Sequence, residues 1–349
     1  MSESLQTLTQ NVQYNCHIAD ALHAGNYTLC IYLLKMRELF RWENGQGFNT
    51  QIDKDALGNW LNERETLWEN LSGNNFAPLL IDDQTFDPLD SEAINQQLLP
   101  QGLVYSAGYG FKAHPHFFLG KLEKIHEEGD YRIYISHEEL ARDLTAPPAM
   151  TQENNIYLRR ESFRRMLWEK YEEWLWNKPD NAMKRVIAYY PFAEDLNLAL
   201  DMMTDKELKM AVYHEIGEIK GSMQLGPQWL EILEQLPRSR GEIMFRAVKD
   251  HLADSLSTLP KLFEKFHPES LHFYMANLTS MRKTIAPQLI SHYEQWLETQ
   301  SLDALKDYVL RAQSHWLELA QEMILLRTAY PENKSYSEQL NTLLEANYL

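Results

Sequence analysis

From about residue 160 to the carboxy terminus, apolar residues recur at steps of three and four almost without interruption. That spacing is one face of an α-helix, and a run of such helices must bury those faces against one another. Segments near 160–177, 194–221, 227–235, 239–259, 269–285, 287–299, 302–327 and 335–347 carry the pattern, punctuated by Pro179, Gly226, Pro237, Pro268 and Pro331. Over 302–327, Leu305, Val309, Ala312, Trp316, Leu319 and Met323 alternate by four and three, which predicts a packing seam. Trp229, Trp296 and Trp316 each open a Trp-Leu-Glu triplet, but the spacings share no period, so a solenoid is not predicted.

The amino-terminal part mixes periods. Leu5, Leu8, Val12, Cys16 and Ala19 predict a helix over about 4–24, ended by Gly25-Asn26. Further helices are predicted over about 27–43 and 54–70. Residues 71–101 hold Asp82, Asp83, Asp87, Asp90 and Glu92 with Pro78 and Pro88 and no base, which reads as a solvated connection. Between Leu103 and Ile135 the pattern turns to strands, with Glu128-Gly129-Asp130 as a hairpin turn. Thr145 to Gln152, with Pro147-Pro148, reads as a linker. The expectation is a mainly α protein: residues 1–150 as helices plus a small antiparallel β-sheet, and 151–349 as a bundle-like helical domain.

Charge narrows the partners. Fifty acidic residues against 33 basic ones leave −17, a balance that repels nucleic-acid backbones and anionic membranes. No apolar run approaches the ~20 residues that span a bilayer. The start of the chain lacks a basic region followed by an apolar core, so no signal peptide is predicted. Two cysteines, Cys16 and Cys30, cannot build a disulfide framework, and the chain reads as cytoplasmic.

The chemistry concentrates in His214-Glu215-Ile216-Gly217-Glu218. On a helical wheel of about 100° per residue, Leu208, Val212, Ile216 and Ile219 mark the core face. Glu207, His214, Glu215 and Glu218 share one arc beside it, while Lys206, Lys209 and Lys220 lie on another. A solvated face would intermix the signs to gain i,i+4 pairs. The segment near 239–259 repeats the segregation, with Asp250, His251, Asp254 and one base, Arg240, on one flank of its apolar stripe and Arg246 and Lys249 on the other. His17 and Asp20 are also i,i+3, and residues 1–34 contain no Lys or Arg. Glu38 projects among Ile31, Leu34 and Trp42, where a carboxylate needs a neutralising partner; Arg37 or Arg41 is the cheapest, a metal another.

Carboxylates and imidazoles offered from several helices are how a helical bundle builds a metal site, and this donor set suits Fe, Mn or Zn. The predicted ligands are His214, Glu218, His251 and Asp254, with Asp250, His17, Asp20 and Glu38 as further candidates and Glu215 as a bridging ligand or base. The order here, His-x-x-Asp or His-x-x-x-Glu, does not match the Glu-x-x-His of ferritin-like di-metal proteins. The pentapeptide resembles the zinc-protease His-Glu-x-x-His motif with its final His replaced by Glu218. That resemblance implies zinc on His214 and Glu218, Asp250 or Asp254 as third ligand, and Glu215 as general base. The functional expectation is a metal-dependent oxidase or hydrolase. The alternative is a non-catalytic interaction protein that presents aromatic-rich helices to a partner.

Three other features stand out. His114-Pro-His116 puts two imidazoles on one strand face. Tyr105-Ser-Ala-Gly-Tyr-Gly110 lacks the context of a phosphate or dinucleotide loop. Arg159, Arg160, Arg164 and Arg165 form the one dense basic cluster, suited to a phosphate or carboxylate, although pairing with acidic neighbours is the plainer expectation. Finally, Asn15-Cys-His-Ile-Ala-Asp-Ala21 and Tyr27-Thr-Leu-Cys-Ile-Tyr-Leu-Leu-Lys-Met-Arg-Glu38 resemble a bacterial family of uncharacterised proteins over the full length. The resemblance implies a bacterial cytoplasmic protein and transfers no role to any residue.

Overall fold

A computed structural model describes residues 2–110, 114–237 and 239–349. The chain divides into two compact units, Met1–Lys170 and Tyr171–Leu349. The first unit opens with helices α1 (Glu3–His23), α2 (Leu29–Glu43) and α3 (Lys54–Leu71). The hairpin β1 (Leu79–Ile81) and β2 (Gln84–Phe86) follows, then α4 (Ser91–Leu98) and strands β3 (Leu103–Tyr109), β4 (Pro115–Glu128), β5 (Tyr131–Arg142), β6 (Ala149–Gln152) and β7 (Asn155–Arg159). Helix α5 (Arg160–Asn177) runs out of the first unit into the second.

The sheet has five strands in the order β3-β4-β5-β7-β6, and β5 pairs with β7 in parallel. This mixed sheet corrects the expectation of a mainly α protein with a small antiparallel sheet, and with it any all-α description. Local patterning located β3 to β5 and the hairpin turn at Gly129, but two features escaped it. The segment read as a linker, Thr145 to Gln152, supplies the edge strand β6. Strand β7 is five residues buried for most of its length, so it shows no alternation that would separate it from the helix that follows. Nor is 71–101 only a solvated connection, because α4 caps on Asp90 and buries Ile94 and Leu98.

Both faces of the sheet are covered. Leu8, Val12, Cys16 and Ala19, the predicted stripe of α1, pack with Leu103, Tyr105, Ala107, Phe117 and Leu119. Val104 and Phe118, one residue out of phase, join Tyr134 and Tyr157 in a separate cluster. Strand β4 shifts register on β5 near Gly120. A Cβ there would lie 2.5 Å from the Phe118 ring and 2.7 Å from the Glu138 carbonyl oxygen, so the irregularity requires glycine.

The second unit is helical: α6 (Ala182–Ile187), α7 (Leu196–Leu225), α8 (Pro227–Gln235), α9 (Arg240–Ala253), α10 (Leu259–Glu264), α11 (Pro268–Asn277), α12 (Ser280–Ile285), α13 (Pro287–Thr299), α14 (Asp303–Ala329) and α15 (Asn333–Ala346). Side chains cap several starts: Asp195 accepts from the Asn197 and Leu198 amides, and Ser239 from the Glu242 amide. All six residues of the seam predicted on α14 are buried. Trp229, Trp296 and Trp316 are core residues, whereas Trp176 is 66% exposed. Among the described residues no helix is long and apolar enough to cross a membrane.

Candidate metal centre

Helices α7 and α9 approach closely because Gly217 faces the backbone of Ala253. A Cβ on Gly217 would stand 2.2 Å from the Ala253 carbonyl oxygen. This contact puts Glu218, one residue after the glycine, beside the end of α9. Just past Ala253 the helix widens into a π-helical turn, Asp254–Thr258, before α10 resumes. Such turns interrupt the regular ladder and re-aim the side chains around them. Here the turn brings Asp254 to His214.

Among the described residues, one set of three metal-ligand side chains converges. A ring nitrogen of His214, a carboxylate oxygen of Glu218 and one of Asp250 all lie within 4.8 Å of one another. His214 and Glu218 are one turn apart on α7, so they share a face. Asp254 sits behind them: its Oδ1 is 2.9 Å from His214 Nδ1 and accepts from Thr258 Oγ1 at 2.8 Å. Its Oδ2 accepts from Arg282 Nη2. With Nδ1 held by a carboxylate, Nε2 is the His214 nitrogen left for a ligand, the relation by which carboxylates orient metal-binding histidines.

The charges around the cluster are set by burial and by each other. Burial opposes a charge on His214, but the Asp254 hydrogen bond and the charges of Asp254, Glu218 and Asp250 outweigh it and raise its pKa to about 10. Burial also raises Asp254, yet Arg282 and His214 hold it well below the usual carboxylate range. Asp250 is raised, by burial first and by its acidic neighbours against the pull of Arg282 and His214. Glu218 Oε2 pairs with Lys249 Nζ at 2.7 Å, while its Oε1 is buried with no hydrogen-bond partner. A divalent cation entering here would displace the His214 proton and use that orphaned oxygen.

The structure redistributes the sequence-predicted ligands. His214, Glu218 and Asp250 converge, and Asp254 acts on His214 from behind. His251 does not join them: its Nε2 donates to the Arg282 carbonyl at 2.9 Å and its ring stacks on Trp316 at 4.9 Å. Burial, with Arg282 beside it, pushes His251 down to about 3, so it stays neutral. Glu215 is half-buried on α7 and outside the converging set. His17, Asp20 and Glu38 have partners in the first unit. Arg64 Nη1 lies 2.7 Å from His17 Nε2, Asp20 accepts the Leu144 amide at 2.9 Å, and Arg37 Nε donates to Glu38 Oε1 at 2.7 Å with Arg41 at 3.5 Å.

The His114-Pro-His116 pair gains a third ring. His23 stacks on His114 at 4.3 Å, His114 lies 4.4 Å from His116, and Asp143 Oδ2 sits 3.0 Å from His116 Nδ1. Burial and the neighbouring imidazole of His116 push His114 down to about 4, which leaves it a neutral stacking partner. Sequence reasoning passed over three parts of the centre. Gly217 stood as an unread position of the pentapeptide, though a glycine amid apolar helix residues is itself a signal of close packing. Lys249 was assigned to a flank away from the acids, and Arg282 carried no local signal at all.

No curated protein and no solved structure matches the chain. Residues 7–159 match the N-terminal domain of a family of unknown function (DUF6866), and residues 164–347 match that family's C-terminal domain. Matched over both domains, the chain belongs to the DUF6866 family, whose function is unknown.

Proposed function

We propose that the second unit binds one divalent transition metal through His214, Glu218 and Asp250, and that the protein is a metal-dependent hydrolase or oxidase. The observation that carries this is the convergence of the three donors within 4.8 Å, with Asp254 locking the tautomer of His214. Two carboxylates and one imidazole suit Zn, Mn or Fe. Three protein ligands leave positions for water or substrate, and a bound metal would make that water a nucleophile at neutral pH. Glu215, next to His214, is the base that the zinc-protease-like pentapeptide assigns. Free Cys16 and Cys30 support a cytoplasmic setting.

A second reading draws on the Lys249–Glu218 ion pair: the cluster neutralises itself and the protein works through a partner surface. Elemental analysis of protein purified without an affinity tag separates the two. The metal reading expects near-stoichiometric Zn, Mn or Fe that His214→Ala and Glu218→Ala each abolish. Metal-free protein from aerobic and anaerobic preparations, with no uptake on titration, would overturn it.

A further inference from the structure

A cavity of about 130 Å³ in the first unit is walled by four guanidiniums, those of Arg41, Arg142, Arg164 and Arg165, with Glu38 and Glu161 as its acids. Among the lining residues the bases outnumber the acids, four to two. This is unusual in a chain of net charge −17. Most of the walls are rigid: Arg142 is 2% exposed, Arg165 6% and Glu38 1%. Arg142 Nη2 donates to the Glu38 carbonyl, Arg165 Nη2 to the Ala146 carbonyl at 2.7 Å, and Arg41 Nη1 to the Gly47 and Thr50 carbonyls at 2.8 Å.

Those bonds leave polar atoms over. Arg142 Nε and Arg165 Nε are buried donors with no acceptor, and Glu38 Oε2 and Gln46 Oε1 are buried acceptors with no donor. All four belong to residues lining the cavity. Buried polar groups are rarely left unsatisfied, so such a set calls for a further partner, water or ligand. Crowded cations add to the demand for an anion: burial and Arg165 push even the Arg142 guanidinium down to about 10.

We infer that this cavity is a phosphate site, taking hydrogen phosphate as the dianion. Its charge is opposite in sign to the excess of the lining, and its three bare oxygens accept from arginine forks. Its one hydroxyl donates to Glu38 Oε2 or Gln46 Oε1, which sulfate cannot do at neutral pH. The cavity has room for a tetrahedral ion, and an ester dianion lacks the phosphorus-bound hydroxyl that these acceptors would take. The arginine-rich stretch 159–165 thus contributes Arg164 and Arg165 to a ligand site while Arg159 pairs with Glu139.

Isothermal titration of the full chain with inorganic phosphate, sulfate, glycerol phosphate and acetate tests this. Phosphate should bind saturably at one site, about tenfold or more tighter than the other three. Arg164→Met should weaken phosphate about tenfold or more while the phosphate-free protein still unfolds cooperatively, since Arg164 is half-buried beside Phe48. Glu38→Gln replaces an acceptor by a donor and should narrow the preference for phosphate over sulfate. Absence of saturable phosphate binding, sulfate or the ester binding as tightly, or unchanged binding in Arg164→Met would each overturn the assignment.

Discussion

The candidate sites of the two units gather charge in opposite senses. Around β5 and α5 the charged side chains that line the cavity are mostly guanidiniums, with Arg159 fully buried against Glu139 at 3.0 Å just behind them. Around α7, α9 and the π-helical turn the converging side chains are carboxylates with one imidazole, and Arg282 stands behind Asp254. The lesson is that the net charge fixes neither site. An excess of acid over the whole chain coexists with a pocket of positive excess, because burial and pairing act over a few ångströms whereas net charge is summed over the whole surface.

The sharpest way to break this comparison is to remove one buried partner in each unit. Arg282→Met takes the cation from Asp254 Oδ2, and Glu139→Gln takes the charge that faces Arg142 and Arg159. Each should cost about 3–5 kcal/mol in denaturant unfolding, the range for breaking a buried pair from one side. A loss below about 1 kcal/mol in either variant would mean that the pair is not what holds that cluster together.

Glu207 offers a pH test inside the second unit. It is buried against Tyr190 and Ser270, both at 3.1 Å, and burial raises its pKa from 4.5 to about 7. A carboxyl raised in the folded state contributes stability that is whole below pH 4.5 and is lost as pH climbs towards 7. Wild type should therefore lose stability relative to Glu207→Gln between pH 5 and pH 8, by about 2 kcal/mol. Parallel unfolding curves across that window would refute the assignment.

Gly217→Ala probes how the second site is positioned. The added methyl meets the Ala253 carbonyl, so α7 and α9 must separate. Overpacking of this kind costs about 1–3 kcal/mol and should weaken metal uptake as well. The smallest effect is expected from Lys249→Met. The Lys249–Glu218 pair is partly exposed, so stability should change by less than about 1 kcal/mol. Metal affinity should rise, because a competing cation has gone. A fall in affinity would show that Lys249 supports the centre instead of competing with it.

Helix faces were legible wherever a single period of 3.6 ran undisturbed. The stripe on α1 and the seam on α14 read directly as core, because apolar spacing of that kind has one burial solution. On the wheel of α7, the lysine-free arc placed His214 and Glu218 together, and the i,i+4 geometry carried that into the fold. The wheel of α9 was less reliable, because the π-helical turn breaks the 100° step at Asp254 and Trp316 of another helix covers His251. The parallel pairing of β5 with β7 had no local signature, since pairing partners are chosen by what the chain brings back across the sheet.

The amino-acid sequence by itself determined where most of the helices form, which faces those helices bury and which residues carry ligand chemistry. These depend on neighbours within a turn or two of the chain. Tertiary structure alone decided which of those residues meet. His214 and Glu218 gain Asp250 only because Gly217 admits the Ala253 backbone, and Asp254 becomes the partner of His214 because a widened turn re-aims it. Lys249 and Arg282 enter from α9 and α12, at distances along the chain that no periodicity relates.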